Sequence, residues 1–234
     1  GDAMLDLLKS VMADAPDYAE IRYHSRIQTT IDARNGALRR VERRTLAGAG
    51  VRCLVEGCWG FVSTTDVSRE GLLKALTEAH RAASAGSALR REKARLAPAR
   101  LAKGEFVCCD ERNEPDMAEK IRTVLAAEKR MREASPLIVG SMIVYTQYAD
   151  EKYVVTSDGA EAHVKDNKPS FHVIATAHRD GKRETAAQAW GVTGSWQDLL
   201  RKEALNDAVD RAVDLALRKL DAGYARAGSI LSSS

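Results

Sequence analysis

The chain has 234 residues and a mass of 25.5 kDa, with 44% hydrophobic and 29% charged residues, enough to bury a sizeable core and close to ordinary globular usage, so a disordered tail, a collagen-like repeat and a membrane bundle are excluded. Lys and Arg total 36 against 33 Asp and Glu, and a net charge of +3 is too near balance to signal a nucleic-acid or anionic-membrane partner. No apolar run approaches the ~18 residues of a membrane-spanning helix and no basic segment leads into an apolar signal core, so a cytoplasmic location is expected.

In chain order, Ala3 to Ala13 places Met4, Leu7, Leu8 and Val11 at helical spacing and stops before Pro16. From Tyr18 the period becomes two, Ala19, Ile21 and Tyr23 alternating with Glu20, Arg22 and His24, which predicts a half-buried strand. A second run, Ile27 to Arg34, meets Asn35-Gly36, a dipeptide suited to the positive φ angles of a hairpin turn, and Leu38 to Arg44 returns from it. Gly50 to Val55 and Trp59 to Val62 flank the turn Glu56-Gly57. Asp66 or Ser68 then caps a helix carrying Leu72, Leu76, Ala79 and Ala83 on one stripe.

The segment Ser84 to Gly104 reads as a partly helical connector, after which the order repeats. A helix with Met117, Ile121, Val124, Leu125 and Met131 ends before Pro136, and strands are predicted at Leu137 to Tyr148, Lys152 to Thr156, Ala160 to Lys165, Phe171 to Ala177 and Glu184 to Trp190. The turns between them carry Asp158-Gly159 and Asp180-Gly181, and a helix from Asp198 to Leu220 closes the series. Both halves read helix, four strands, helix, the pattern of an internal duplication. The expected class is α+β, two similar halves with mostly antiparallel sheets and helices packed on one face of each. The first half is placed at 1–86, a connector at 87–115 and the second half at 116–228.

Chemistry is harder to place. Cys53, Cys58, Cys108 and Cys109 lack the two matched pairs of a structural zinc site and are read as free, structural thiols. His24 and His80 each stand alone and are read as solvated or locally bonded, and His163, His172 and His178 have no fixed register that makes a ligand set. No Gly-x-Ser-x-Gly elbow, His-Glu-x-x-His helix or phosphate-cradling loop occurs. Arg39, Arg40, Arg43 and Arg44, and then Arg90, Arg91, Lys93, Arg95, Arg100 and Lys103, form basic clusters read as solvated faces, because only 5% of the residues are aromatic and base-stacking platforms need exposed rings. Trp59, Phe61, Trp190 and Trp196 are read as core.

Three stretches carry a resemblance: Asp17 to Tyr23 (DYAEIRY), Arg34 to Leu38 (RNGAL) and Gly48 to Asp66 (GAGVRCLVEGCWGFVSTTD). With Val154 to Gly159 (VVTSDG) and the Ala-rich helix up to Asp221-Ala222, the chain resembles the N-terminal domain of the TldD/PmbA family over nearly its whole length. That resemblance implies a cytosolic protein, known historically as a modulator of DNA gyrase, within a zinc metallopeptidase system that acts on unfolded or small peptides. It implies a homodimer or a mixed TldD/PmbA dimer enclosing a cavity, with the zinc ligands on a His-Glu-x-x-x-His helix and a later Cys of a C-terminal domain. The sequence reaches only to about where that domain begins, and its first and last residues read as those of a fragment. No catalytic, cofactor-binding or metal-binding residue is therefore carried over, zinc is expected in the absent domain, and whether the protein is the catalytic type or the zinc-free PmbA-like partner is left open. Nucleic-acid binding through the arginine clusters is the alternative from another class.

Overall fold

The computed structural model describes residues 2–97, 101–108 and 113–231. In chain order these form α1 (Ala3–Met12), β1 (Tyr18–Arg34), β2 (Ala37–Val55), β3 (Cys58–Thr64), α2 (Arg69–Ser87), β4 (Lys103–Val107), α3 (Met117–Glu133), β5 (Ile138–Thr156), β6 (Glu161–Arg179), β7 (Lys182–Gly191), α4 (Trp196–Lys202) and α5 (Leu205–Leu231). The strands neighbour one another in the order β3-β2-β1-β5-β6-β4, with β7 also paired to β6. The class is α+β, as expected.

Two compact units share these strands. Unit 1 comprises Gly1–Arg26, Thr45–Val107 and Asp150–Asp166; unit 2 comprises Ile27–Arg44, Cys108–Ala149 and Asn167–Ser234. In unit 1, α1 and α2 bury Leu8, Val11, Leu72, Leu76 and Ala79 against Ala19, Ile21, Val51 and Tyr153 of the strands. Each fully buried Leu, Ile or Val contributes roughly 1.5–3 kcal/mol. Gly60 is what lets α2 approach β3: a Cβ there would lie 2.1 Å from the Ala79 carbonyl oxygen and 2.6 Å from the Ala83 nitrogen. In unit 2, α3, α4 and α5 bury Val124, Met131, Leu199, Val209 and Leu220 against Ile31, Ile143, Tyr145, Phe171 and Val173.

Side-chain caps start the helices where the sequence provides them. Asp2 accepts from the Met4 and Leu5 amides at α1, Ser68 from Gly71 at α2 and Asp116 from Glu119 at α3, while Ser195 and Asp198 form a reciprocal capping box at α4. Three turns, Asn35-Gly36, Glu56-Gly57 and Asp180-Gly181, have positive φ at both residues, the hairpin geometry predicted for them.

Four details differ from the sequence expectations. The runs before and after Ser25 are one strand, as are those flanking Thr45, so each half contributes three strands rather than four. The stretches Leu137 to Tyr148 and Lys152 to Thr156 likewise join in β5, and Ala160 to Lys165 and Phe171 to Ala177 in β6. The connector is not helical over residues 91–97, and it contains β4, which runs parallel to β6 through Lys103–Val107 and Glu161–Lys165. The closing helix is two helices, because Glu203 after α4 adopts an extended backbone with φ −156° and ψ 120°.

Candidate functional site

The alternation of β1 that buries Ala19 and Ile21 under the helices sends Glu20, Arg22, His24 and Arg26 to the opposite face of unit 1. This face holds a groove of about 910 Å³, lined by Arg22, His24 and Arg26 of β1, by Leu46 to Gly50 of β2, and by Phe61, Ser63, Thr64 and Thr65. Gly48 and Gly50 leave its floor free of side chains; a Cβ at Gly50 would come within 3.1 Å of the Phe61 ring. Phe61 is 65% exposed and Leu46 is 56% exposed, so the groove has an apolar rim beside a basic wall.

Two buried carboxylates hold that wall. Asp150, 2% exposed, accepts a two-pronged pair from Arg26, Nε to Oδ1 at 2.7 Å and Nη2 to Oδ2 at 2.9 Å, and its Oδ1 lies 2.9 Å from His24 Nε2. The Arg26 guanidinium, aided by His24 and opposed by burial, holds the Asp150 carboxyl well below the usual carboxylate range. Glu20, 3% exposed, pairs with Arg22 and accepts from Arg52 Nη2 at 2.9 Å. Burial opposes its charge, but the hydrogen bonds from Arg52 and Arg22 overcome that opposition and lower its pKa. Arg52 lies 4.6 Å above the Trp59 ring, which Tyr18 meets edge-on at 6.0 Å.

Of the aromatic residues expected in the core, Trp196 is buried and stacks edge-on with Tyr145 and Phe171, and Trp190 packs on Phe171. Phe61 is a correction. It sits on the face of β3 away from α2, whose side Gly60 and Val62 take, so the strand period places it at the groove.

The histidines separate. His24 joins the groove, and His80 bonds Asp17 at 2.8 Å. His163 in unit 1 stacks on Tyr153 at 4.2 Å, with Nε2 2.9 Å from Glu151, whereas His172 and His178 belong to unit 2. The Tyr153 hydroxyl lies 2.5 Å from Asp2 Oδ2 and 2.9 Å from Glu151 Oε1, two acceptors for its single proton; burial, followed by these carboxylates, raises its pKa. Cys53 and Cys58 are buried free thiols, and burial, with the charge of Asp17, pushes Cys53 up to about 11. The Cys108 sulfur accepts the Asn167 amide at 3.2 Å, while Cys109 and Arg100 lie outside the described residues. Arg39, Arg40, Arg43 and Arg44 are exposed on β2, as are Arg90, Arg91, Lys93 and Arg95 on the connector, and none of them lines the groove. Among the described residues, no three His, Cys, Asp or Glu side chains are grouped to hold a metal ion.

The sequence reading missed Arg26, Leu46 and Asp150. Arg26 and Asp150 fall in polar interruptions that look like gaps between strands, and 124 residues separate them. The available signal was the sequence Gly48-x-Gly50, two absent side chains on one face of a strand, close to Phe61 on its neighbour.

Residues 19–83 match the model of the PmbA/TldA metallopeptidase domain 1, and residues 110–220 match that of the PmbA/TldA metallopeptidase central domain. The chain belongs to the PmbA/TldD family. A metalloprotease of Methanocaldococcus jannaschii is 23% identical over 222 residues, which cover 94% of this chain and 48% of that protein. The structure resembles a protein from Thermotoga maritima described as a modulator of a DNA gyrase, with TM-score 0.72, 14% identity, and coverage of 91% of this chain and 47% of that one. It also resembles TldE from Thermococcus kodakarensis, with TM-score 0.71, 13% identity, and coverage of 92% and 47%. A protein described as a DNA gyrase modulator from Bacteroides thetaiotaomicron gives TM-score 0.70 at 18% identity, covering 90% and 48%. The chain thus spans about half the length of the relatives it matches.

Proposed function

We propose that this chain is the N-terminal part of a TldD/PmbA-type zinc metallopeptidase, acting in the cytoplasm on unfolded or small peptides, in which it lines the substrate chamber and contributes to dimerisation. The observation that carries the chamber role is the groove of unit 1, where a basic wall and an apolar rim flank a floor without side chains. Such a surface offers both charged and apolar contacts to an extended peptide. Dimerisation draws support from β2 over residues 37–44, an edge with exposed Leu38 and Val41, since β3 pairs only with Ala49–Val55 of that strand.

In this reading the zinc is held by the C-terminal domain of the full-length protein. The same reading divides the sequence into a first half at 1–86, a connector at 87–115 and a second half at 116–228. The test is peptide hydrolysis by the full-length gene product. Activity is expected to disappear with a zinc chelator and to return on adding zinc; hydrolysis that a chelator leaves unchanged overturns the proposal.

A further inference from the structure

In the sheet, β2 lies between β1 and β3, but β3 pairs with Ala49–Val55 alone, so residues 37–44 keep β1 on one side and open the other as a strand edge. That edge reads Ala-Leu-Arg-Arg-Val-Glu-Arg-Arg, four arginines to one glutamate. Arg44 Nε lies 3.6 Å from Glu42, which commits that pair. Arg39, Arg40 and Arg43 are exposed and have no acidic partner among the described residues. Alternation puts Arg39, Val41 and Arg43 on one face of the strand, with Val41, 42% exposed, midway between the two arginines.

Resting on the reading of this edge as an interface, we infer that β2 at residues 39–43 takes up an extended segment of another protein as an added strand, and that this segment carries two acidic side chains four residues apart with an apolar one midway. The acids pair with Arg39 and Arg43, and the apolar residue lies against Val41. Backbone hydrogen bonds supply affinity in such an addition, and the alternate side chains supply selection. Arg39 and Arg43 stand roughly 13 Å apart at the rise of a strand, whereas acids four residues apart on a helix are only about 6 Å apart, so the charges select an extended partner. A second copy of the same edge does not fit. Antiparallel pairing centred on Val41 sets Arg39 opposite Arg43 twice, and like charges directly opposite destabilise a sheet. The stretch also has no aromatic ring on which a nucleic-acid base could stack.

The experiment measures binding of labelled, capped peptides to the 234-residue chain. Thr-Glu-Thr-Val-Thr-Glu-Thr is compared with its Gln counterpart, with Thr-Thr-Glu-Val-Glu-Thr-Thr, which keeps both charges at the wrong spacing, with Thr-Glu-Thr-Pro-Thr-Glu-Thr, whose proline breaks strand pairing, and with single-stranded oligo-dT. The first peptide is expected to bind about fivefold tighter than the Gln and respaced peptides, the scale of two cross-strand ion pairs. It is also expected to slow amide hydrogen exchange over residues 37–44, and the proline peptide is expected to lose binding. Arg39→Glu combined with Arg43→Glu reverses the preference toward Thr-Lys-Thr-Val-Thr-Lys-Thr; both positions are exposed, and the peptide comparison on the unaltered chain needs no variant to fold. Equal affinity for the Glu, Gln and respaced peptides, no binding of any, retained binding of the proline peptide, slowed exchange at residues 46–50 of the groove instead, or tighter binding of oligo-dT each overturns the inference. The dimerisation reading is tested apart, by sedimentation of the full-length product, and none of these results touches the chelator test of the peptidase reading.

Discussion

Buried charge is arranged differently at the groove of unit 1 and in the interior of unit 2. In unit 1, Glu20 and Asp150 lie under arginines whose outer surfaces face solvent, so the buried carboxylates organise a surface. In unit 2, one set of buried polar groups bonds internally, although Asp32, 4% exposed, is also paired by Arg34 and Glu128 by Arg132, both about half-exposed. Lys120 Nζ donates to Glu114 at 2.9 Å and to Gln147 at 3.0 Å, and Gln147 donates to Asn167, which donates to the Gly194 carbonyl. Glu128, 1% exposed, accepts from the Gly36 amide at 2.9 Å and from the Ser141 hydroxyl, pinning the β1–β2 turn to α3 and β5. The difference separates two uses of a buried ion: an arginine that is still half-exposed lets it shape a surface, as at Asp150 and at Asp32, whereas internal hydrogen bonds, as those of Lys120 and those from Gly36 and Ser141 to Glu128, tie the chain together.

This contrast is open to attack by substitution. The largest effect is expected from Phe171→Ala in unit 2, where the ring is 1% exposed between Tyr145, Trp190 and Trp196; the loss is about 3–5 kcal/mol in urea denaturation. Next comes Glu128→Ala, about 3 kcal/mol by the same measurement, since it leaves the Gly36 amide and Ser141 hydroxyl without their acceptor.

Acid sharpens the comparison further. Asp150 and Glu20 have folded-state pKa values below their ordinary ones, so their stabilisation is complete above the unfolded-chain values of about 4 and is lost as pH falls through the lower folded values. Asp150→Asn is expected to cost about 2 kcal/mol at neutral pH and to flatten the acid limb of a Tm-against-pH curve. A curve that keeps the wild-type slope below pH ~4 contradicts the placement of Asp150 as a paired carboxylate. The smallest stability change belongs to Phe61→Ser, within about 0.5 kcal/mol, because that ring packs against no core. A loss near that of Phe171→Ala removes the distinction between an internal ring and a rim.

Local chemistry made much of the fold legible. Asn35-Gly36, Glu56-Gly57 and Asp180-Gly181 announced their hairpins, and the stripes through Leu72, Leu76 and Ala79 or Val124 and Met131 announced helices that bury those residues. The long strands were illegible for a physical reason. Alternation marks a strand only where one face meets a core, and β1 passes from Ala19 and Ile21 in one core to Ile31 and Ala33 in the other through Ser25 and Arg26, which meet neither. β5 does the same at Asp150, and the polar residues that hid the strands are those that build the groove. β4 gave no pattern because Lys103 to Val107 bury neither face. Pairings such as Arg26 with Asp150 are set by strand register, which sequence spacing does not encode.

The partition of the strands also bears on how the protein can be taken apart. Each unit is assembled from three separate stretches of chain, exchanged between Arg26 and Ile27, Arg44 and Thr45, Val107 and Cys108, Ala149 and Asp150, and Asp166 and Asn167. No single cleavage by a protease, and no simple truncation of the gene, releases either unit whole. Dissecting one from the other calls for circular permutation or grafted linkers within β1, β2, β5 and β6, where the exchange points fall.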